Sequence, residues 1–487
     1  MPPPPAPFDL VIRGGTIVTE NGRFQGDIWV RDGRVVRIDG PASPPLQPSA
    51  PISREVDARG ALVLPGGVDP HVHLTSSDSS DEDPGWVDDF ESGTAAAVAG
   101  GITTVGNMSF VLPWETIGER LTRESEQARR QAIGDVFLHP AVLSPHASII
   151  AELPEVAERG TTSLKFFMCF PSFDSFGGQF QLAMRAAGMA GAITLIHCED
   201  LATIECCTSV LMEKSMGSLR HFHESRPVVA ELVATERAIA MCESTGAPTY
   251  IVHLSSARAL AACRAARARG LPVFVETRPL YLHLTDDRYA HEDGPLYVAQ
   301  PPLRRTADRE ALWEGLADGS IDTLGSDHAP WTRPMKMDPS LDLSRLRPGV
   351  PDLETMLPMF FTEGVMKGRL TAERFVAVTA TNAARLFGLY PRKGTIAVGS
   401  DADLAIWETG RTRVVRGAEM FSRAGHTIYE GAELAAWPRM TIRRGEVVFE
   451  DGRLVGKAGT GEVLERGRTQ GLPVAAVDEP PAAARLR

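Results

Sequence analysis

Four histidines, one lysine and one aspartate stand where apolar runs of this sequence end. "LPGGVDPHVHL" (64–74) closes on His71 and His73, "SLKFFM" carries Lys165, "LIHCED" His197, "IVHLSS" His253 and "GSDHAP" Asp327. In a strand, side chains at i and i+2 share a face, so His71 and His73 are expected side by side. Imidazole and carboxylate are ligands suited to zinc and similar divalent ions. Each residue alone has a plainer explanation: a core histidine at His197 or His253, a helix N-cap at Asp327, a solvated strand face at the histidine pair. Six of them at equivalent ends of five strands point instead to a metal centre. They suffice for two ions, with His71, His73 and Asp327 on one and His197 and His253 on the other. Lys165 needs its own chemistry, because an ammonium does not bind a metal. Burial lowers the lysine pKa, and a neutral amine can add carbon dioxide to give a carbamate, an anionic two-oxygen ligand placed between the two ions.

A scaffold must bring those strand ends to one rim. Between about 64 and 390, short β-branched runs alternate with helical stretches such as "WETIGERLTRESEQARRQA" and "SARALAACRAARARG". Eight strand candidates over some 300 residues predict an α/β fold, a (β/α)8 barrel, whose functional groups gather at the C-terminal strand ends. A doubly wound sheet predicts fewer strands and a Gly-rich first turn, and "GGVDPH" is not GxGxxG. Residues 8–63 and 395–455 read as short strands with "NG" and "DG" hairpin turns, which predicts one small β-sandwich built from both chain ends. The catalytic barrel is then 64–394 and the C-terminal tail 456–487, loose or subunit-contacting from about Thr469.

The bulk properties narrow the function. The chain has 487 residues, 43% hydrophobic and 23% charged, the balance of a soluble globular protein. A net charge of −12 argues against nucleic acid as the main partner. No run of about 18 apolar residues predicts a membrane span, and "MPPPPAPF" is not a secretory signal. Cys169, Cys198, Cys206, Cys207, Cys242 and Cys263 form no CxxC pair and fit a reduced, cytoplasmic set of thiols, with Cys198 a small buried hydrophobe.

Taken together, "DPHVHL", "SLKFFM", "IHCED", "VHLSS", "GSDHAP" and "TATNAARLFGL" resemble the amidohydrolase superfamily, and within it the cyclic amidohydrolases: hydantoinase/dihydropyrimidinase, allantoinase and dihydroorotase. The resemblance covers roughly residues 8 to 455. It implies two divalent metal ions, zinc by resemblance, bridged by hydroxide and by carboxylated Lys165, and hydrolysis of a ring amide. It also implies a homodimer or homotetramer. His71, His73, Lys165, His197, His253 and Asp327 match the family's six ligand positions, which counts against the scaffolding homologues that have lost ligands. Asp327 is then the group that takes the hydroxide's proton and delivers it to the leaving nitrogen.

Departures from the family pattern narrow the substrate. Dihydroorotases carry an arginine where Thr75 stands and an asparagine where Phe110 stands, so that activity is not expected. Hydantoinases place an oxyanion-stabilising tyrosine at the position of Phe170 and tend to have a serine at that of Gln300. A missing hydroxyl removes a transition-state hydrogen bond worth up to several kcal/mol. "PGWVDDFESGTAAAVAGGITTV" looks closer to allantoinases and dihydroorotases. Phe170, Gln300, Gly349 and Val350 are the candidate substrate contacts, although Gln300 also reads as an exposed loop amide. Phe166, Phe167, Phe170, Phe173 and Phe176 offer an apolar wall, some of it core, which would suit a second reading in which the same centre cleaves a linear amide, urea or carbamate bearing an aryl group. The acidic "TSSDSSDEDPGW" loop reads equally as a lid or as a solvated loop.

Overall fold

The computed structural model describes residues 8–41, 43, 51–74 and 85–472. The proline-rich start, Thr75, residues 76–84 of the acidic loop and 473–487 lie outside the described residues.

All eight strand candidates of the middle region are strands. They form one parallel sheet in sequential order: β1 (Gly67–Val72), β2 (Ile102–Val111), β3 (Asp135–Val142), β4 (Ser163–Phe167), β5 (Ile193–His197), β6 (Thr249–Ile251), β7 (Val273–Thr277) and β8 (Thr323–Leu324). The sheet closes where Val72 bridges His328 and the His73 amide donates to the His328 carbonyl at 2.8 Å. Val68, Met108, Phe137, Leu195 and Tyr250 fill the interior with apolar bulk, as a (β/α)8 barrel requires.

A second, nine-stranded sheet joins the chain ends. Leu10–Thr19 pairs with Gly22–Arg31 on one side and Leu62–Pro65 on the other, and Leu62–Pro65 pairs in turn with Leu404–Val414. Ile12, Ile17, Ile28 and Val30 share one apolar cluster with Leu404, Ile406, Met440 and Ile442, so the sheet wraps a core of its own. Residues 62–72 therefore belong to both sheets, Leu62–Pro65 to this one and Gly67–Val72 to the barrel. The switch point is Gly66, where a Cβ would lie 2.3 Å from Thr103 Oγ1, so only glycine lets the chain pass.

The predicted tail is the exception. Residues 456–472 are packed along the N-terminal ends of the barrel strands. Val463 bridges Val136, the Arg466 amide donates to Gly160 O at 2.8 Å, and buried Arg466 Nη2 donates to Leu138 O at 2.8 Å. A segment without secondary structure can thus fill a barrel mouth through its backbone and a few buried side chains.

Candidate active site at the barrel rim

Asp327, just past β8, is the focus of the rim. Its Oδ1 lies 3.3 Å from His71 Nε2 and 2.9 Å from His73 Nε2, and these three residues form one compact donor set. The β1 ladder shifts register between Asp69 and Val72, and His73 lies beyond the strand, yet both rings face the same carboxylate, with centroids 5.3 Å apart. His253 continues the ring cluster, 5.5 Å from His71 and 4.6 Å from His197. Asp327 and His253 both take positive φ, +47° and +40°, backbone that L residues adopt at a cost of about 1 kcal/mol and that concentrates at functional sites.

Electrostatics hold two imidazoles of this set, His73 and His253, in the neutral form that a ligand needs. Burial lowers His73 to about 4 against the pull of Asp327, and holds His253 well below the ordinary imidazole value. Burial also takes the Lys165 ammonium down to about 8, opposed by Asp327 and Glu276. Asp327 is the anion: burial raises its pKa, but Arg278 and the two histidines hold it well below the usual carboxylate range. His197 differs, since burial is outweighed by Cys169 and Glu199, which hold it up at about 9, and its proton must leave before it can act as a ligand.

Four nitrogens of the set, His71 Nε2, His73 Nδ1, His253 Nδ1 and Lys165 Nζ, are buried without a hydrogen-bond partner. Orphaned buried donors and acceptors cost roughly 1–3 kcal/mol each, so several at one rim fit a site built for a further group. Divalent cations suit the imidazole and carboxylate donors, and Lys165 suits a carbamate: it is 0% exposed, its Nζ has no hydrogen-bond partner, and it lies over the Phe167 ring at 4.8 Å.

Several residues of the site escaped the sequence reading. Glu276, buried at the end of β7, accepts from His71 Nδ1 at 2.8 Å, the His253 amide at 2.9 Å and the Tyr250 hydroxyl at 2.9 Å. It thereby fixes the His71 tautomer with the Nε2 lone pair toward Asp327. Glu199 plays the same part for His197, at 2.8 Å, and is itself gripped by both arms of Arg226. Asp69 accepts from the amides of His71 and Ser326, tying β1 to β8. The available signal was charge inside apolar strands, "VFVETRP" above all, but a search for metal-binding side chains alone passes over carboxylates that support them.

The substrate candidates are dispersed. Phe170 is 40% exposed and, with Phe110, lines a largely apolar cleft of about 210 Å³ that also involves Pro113, His146 and Ile149. Rings run from the metal-binding candidates to this cleft: His73–Trp86, Trp86–Phe110, Phe110–Phe167 and Phe167–Phe170, all with centroids within 6.0 Å. Of the five phenylalanines, Phe166 and Phe173 pack on Phe180 as core, and Phe176 is exposed. Gln300 is half-buried. Val350 is buried in a bridge with His328, and the Gly349 carbonyl accepts from Lys336 Nζ at 2.9 Å.

The fold agrees with that of known proteins. A family model described as "Amidohydrolase family" matches residues 62–448. A D-phenylhydantoinase of Escherichia coli O9:H4 (strain HS) is 34% identical over 463 residues, 94% of this chain and 98% of the relative. Among solved structures, a D-hydantoinase aligns with a TM-score of 0.88 at 34% identity, over 94% of this chain and 99% of the other. The dihydropyrimidinase of Brevibacillus agri NCHU1002 aligns at 0.87 and 31%, over 95% and 99%. With both the family model and full-length relatives matching, the chain belongs to the amidohydrolase family.

Proposed function

We propose that this protein is a metal-dependent hydrolase that opens a cyclic amide of hydantoin, dihydropyrimidine, allantoin or cyclic imide type. The observation that carries the proposal is the convergence of Asp327 with unpartnered buried nitrogens of His71, His73, His253 and Lys165 at one barrel rim. The names of the relatives, hydantoinases and a dihydropyrimidinase, favour ring amides as the substrate class. His71, His73, Asp327, His197, His253 and carboxylated Lys165 would hold two divalent ions, zinc by ligand chemistry. Such ions would lower the pKa of a bound water and polarise the substrate carbonyl.

The chain's own residues do the rest. Burial takes the Lys165 ammonium to about 8, so its neutral amine is more populated near neutral pH than a free lysine's; that nitrogen bonds to the carbon of carbon dioxide and releases one proton, giving the carbamate. Glu276 and Glu199 hold the ligand imidazoles in one tautomer each. Asp327 accepts the proton of the attacking water and returns it to the leaving ring nitrogen. Phe170 has no hydroxyl to offer an oxyanion, so that charge falls to the cations or to another donor.

The apolar cleft beside Phe110 and Phe170 supports the second reading, a linear amide, urea or carbamate with an aryl group, by the same centre. A hydrolysis screen of the zinc-reconstituted protein against ring amides and linear aryl amides decides: ring opening is expected, and activity on linear amides alone overturns the cyclic assignment. Exposed Leu182, Met189, Val229 and Val233 support a homodimer or homotetramer. The six free cysteines support a cytoplasmic setting, and none of the described helices is long and apolar enough to cross a membrane.

A further inference from the structure

We infer that Arg278 is a positioning residue for the Asp327 carboxylate, an inference that rests on the metal-hydrolase reading above. Arg278 stands at the C-terminal end of β7, directly before Pro279, and its side chain is 0% exposed. The guanidinium meets the turn after β8 at three points. Nε donates to Ser326 O at 3.1 Å, Nη2 donates to Asp327 O at 3.3 Å, and Nη1 lies 2.8 Å from Asp327 Oδ2. The third contact is an ion pair in which the N–H is not aligned on the oxygen.

These three acceptors are the ones that define Asp327. The carbonyls of Ser326 and Asp327 flank its backbone torsions, and its φ of +47° is a conformation an L residue keeps only when its surroundings enforce it. The guanidinium fork is planar and rigid, so one side chain fixes the strained backbone and the carboxylate together. With Oδ2 taken by Arg278, Oδ1 is the oxygen left toward His71 Nε2 and His73 Nε2. The guanidinium contacts Asp327 and the two carbonyls beside its carboxylate, so Arg278 acts through Asp327. A lysine here would be a point charge able to pair with Oδ2 but not to bind both carbonyls in the same geometry.

The test compares Arg278→Met and Arg278→Lys with the parent. Zinc affinity of each apo-protein is measured by competition with a chromophoric chelator, and kcat and KM are measured on the substrate found in the screen. Arg278→Met is expected to lower zinc affinity about tenfold or more, the range for losing a group that orients a ligand. It should lower kcat while KM stays within about threefold, because the perturbed group is the proton carrier and not a substrate contact. Arg278→Lys is expected to recover part of both losses. Arg278→Met with zinc affinity equal to or above the parent's overturns the inference. If Arg278→Met is insoluble, Arg278→Lys decides alone: an affinity below the parent's supports the inference and a parent-like affinity overturns it. A parent that binds no zinc refutes the metal reading instead, so the two failures are told apart.

Discussion

Replacing Glu276 by glutamine tests how far this rim depends on a carboxylate that touches no substrate. The buried Glu276 side chain receives three donors, from His71, the His253 backbone and Tyr250, at 2.8, 2.9 and 2.9 Å. Hydrogen bonds to a charged acceptor are worth about 1.5–3 kcal/mol and neutral ones about 0.5–1.5, so neutralising this acceptor forfeits about 1 kcal/mol for each of three. The Tyr250 bond is the one the protein can reverse, since its hydroxyl also lies 2.6 Å from Thr323 Oγ1 and could donate there while accepting from the new amide. About 2 kcal/mol then falls on the orientation and basicity of His71 and on the His253 turn. At tenfold per about 1.4 kcal/mol, zinc affinity should drop roughly 30-fold, inside the 10–100-fold span typical of groups behind metal ligands. Chelator competition on apo-protein measures this without any substrate, and Tyr250→Phe, which removes only the reversible donor, should fall well short of it. Zinc affinity of Glu276→Gln within twofold of the parent would refute the reasoning. Gly325→Ala gives an independent check, because its Cβ would sit 2.5 Å from Glu276 Oε2 and must displace the same carboxylate.

Other expectations bear on separate groups. Asp327→Asn should retain substantial metal yet lose turnover by about 10²–10⁴-fold, the usual share of a proton-transfer group; steady-state turnover within a few-fold of the parent excludes that role. Lys165→Ala should lose metal and activity together and regain part of both with short carboxylic acids, whereas two tightly held ions by elemental analysis would exclude a bridging lysine. Glu354, outside the metal-binding candidates, is raised by burial from 4.5 to about 7 despite a hydrogen bond from the Phe421 amide. A carboxyl with a raised folded pKa contributes stability that is full below about 4.5 and lost as pH climbs through about 7, so stability should fall by up to about 3 kcal/mol over that window. Denaturant titrations at a series of pH values should find that slope reduced in Glu354→Gln; an unchanged slope sinks the assignment.

Residue order alone determined the barrel and the six rim residues. The eight strands were legible because each is a short β-branched run bounded by turn residues, and side chains at C-terminal strand ends of such a barrel must share a rim. His71, His73, Lys165, His197, His253 and Asp327 were legible because such polar groups rarely end apolar strands without a task. Tertiary structure decided the rest. Glu276 and Arg278 are adjacent-but-one in sequence, yet one supports His71 across 205 positions and the other grips Asp327 across 49, distances that only barrel closure brings to contact. Which phenylalanine is core and which lines a cleft also lay beyond periodicity, since Phe167 and Phe170 are sorted from Phe166 and Phe173 by what packs behind them. The segment 456–472 looked like a tail because it carries no strand or helix pattern, and only the open N-terminal end of the barrel gives its backbone and Arg466 something to fill. Local pattern encodes which face a side chain takes, whereas partners far apart in the chain are fixed by long-range packing that no short window of sequence contains.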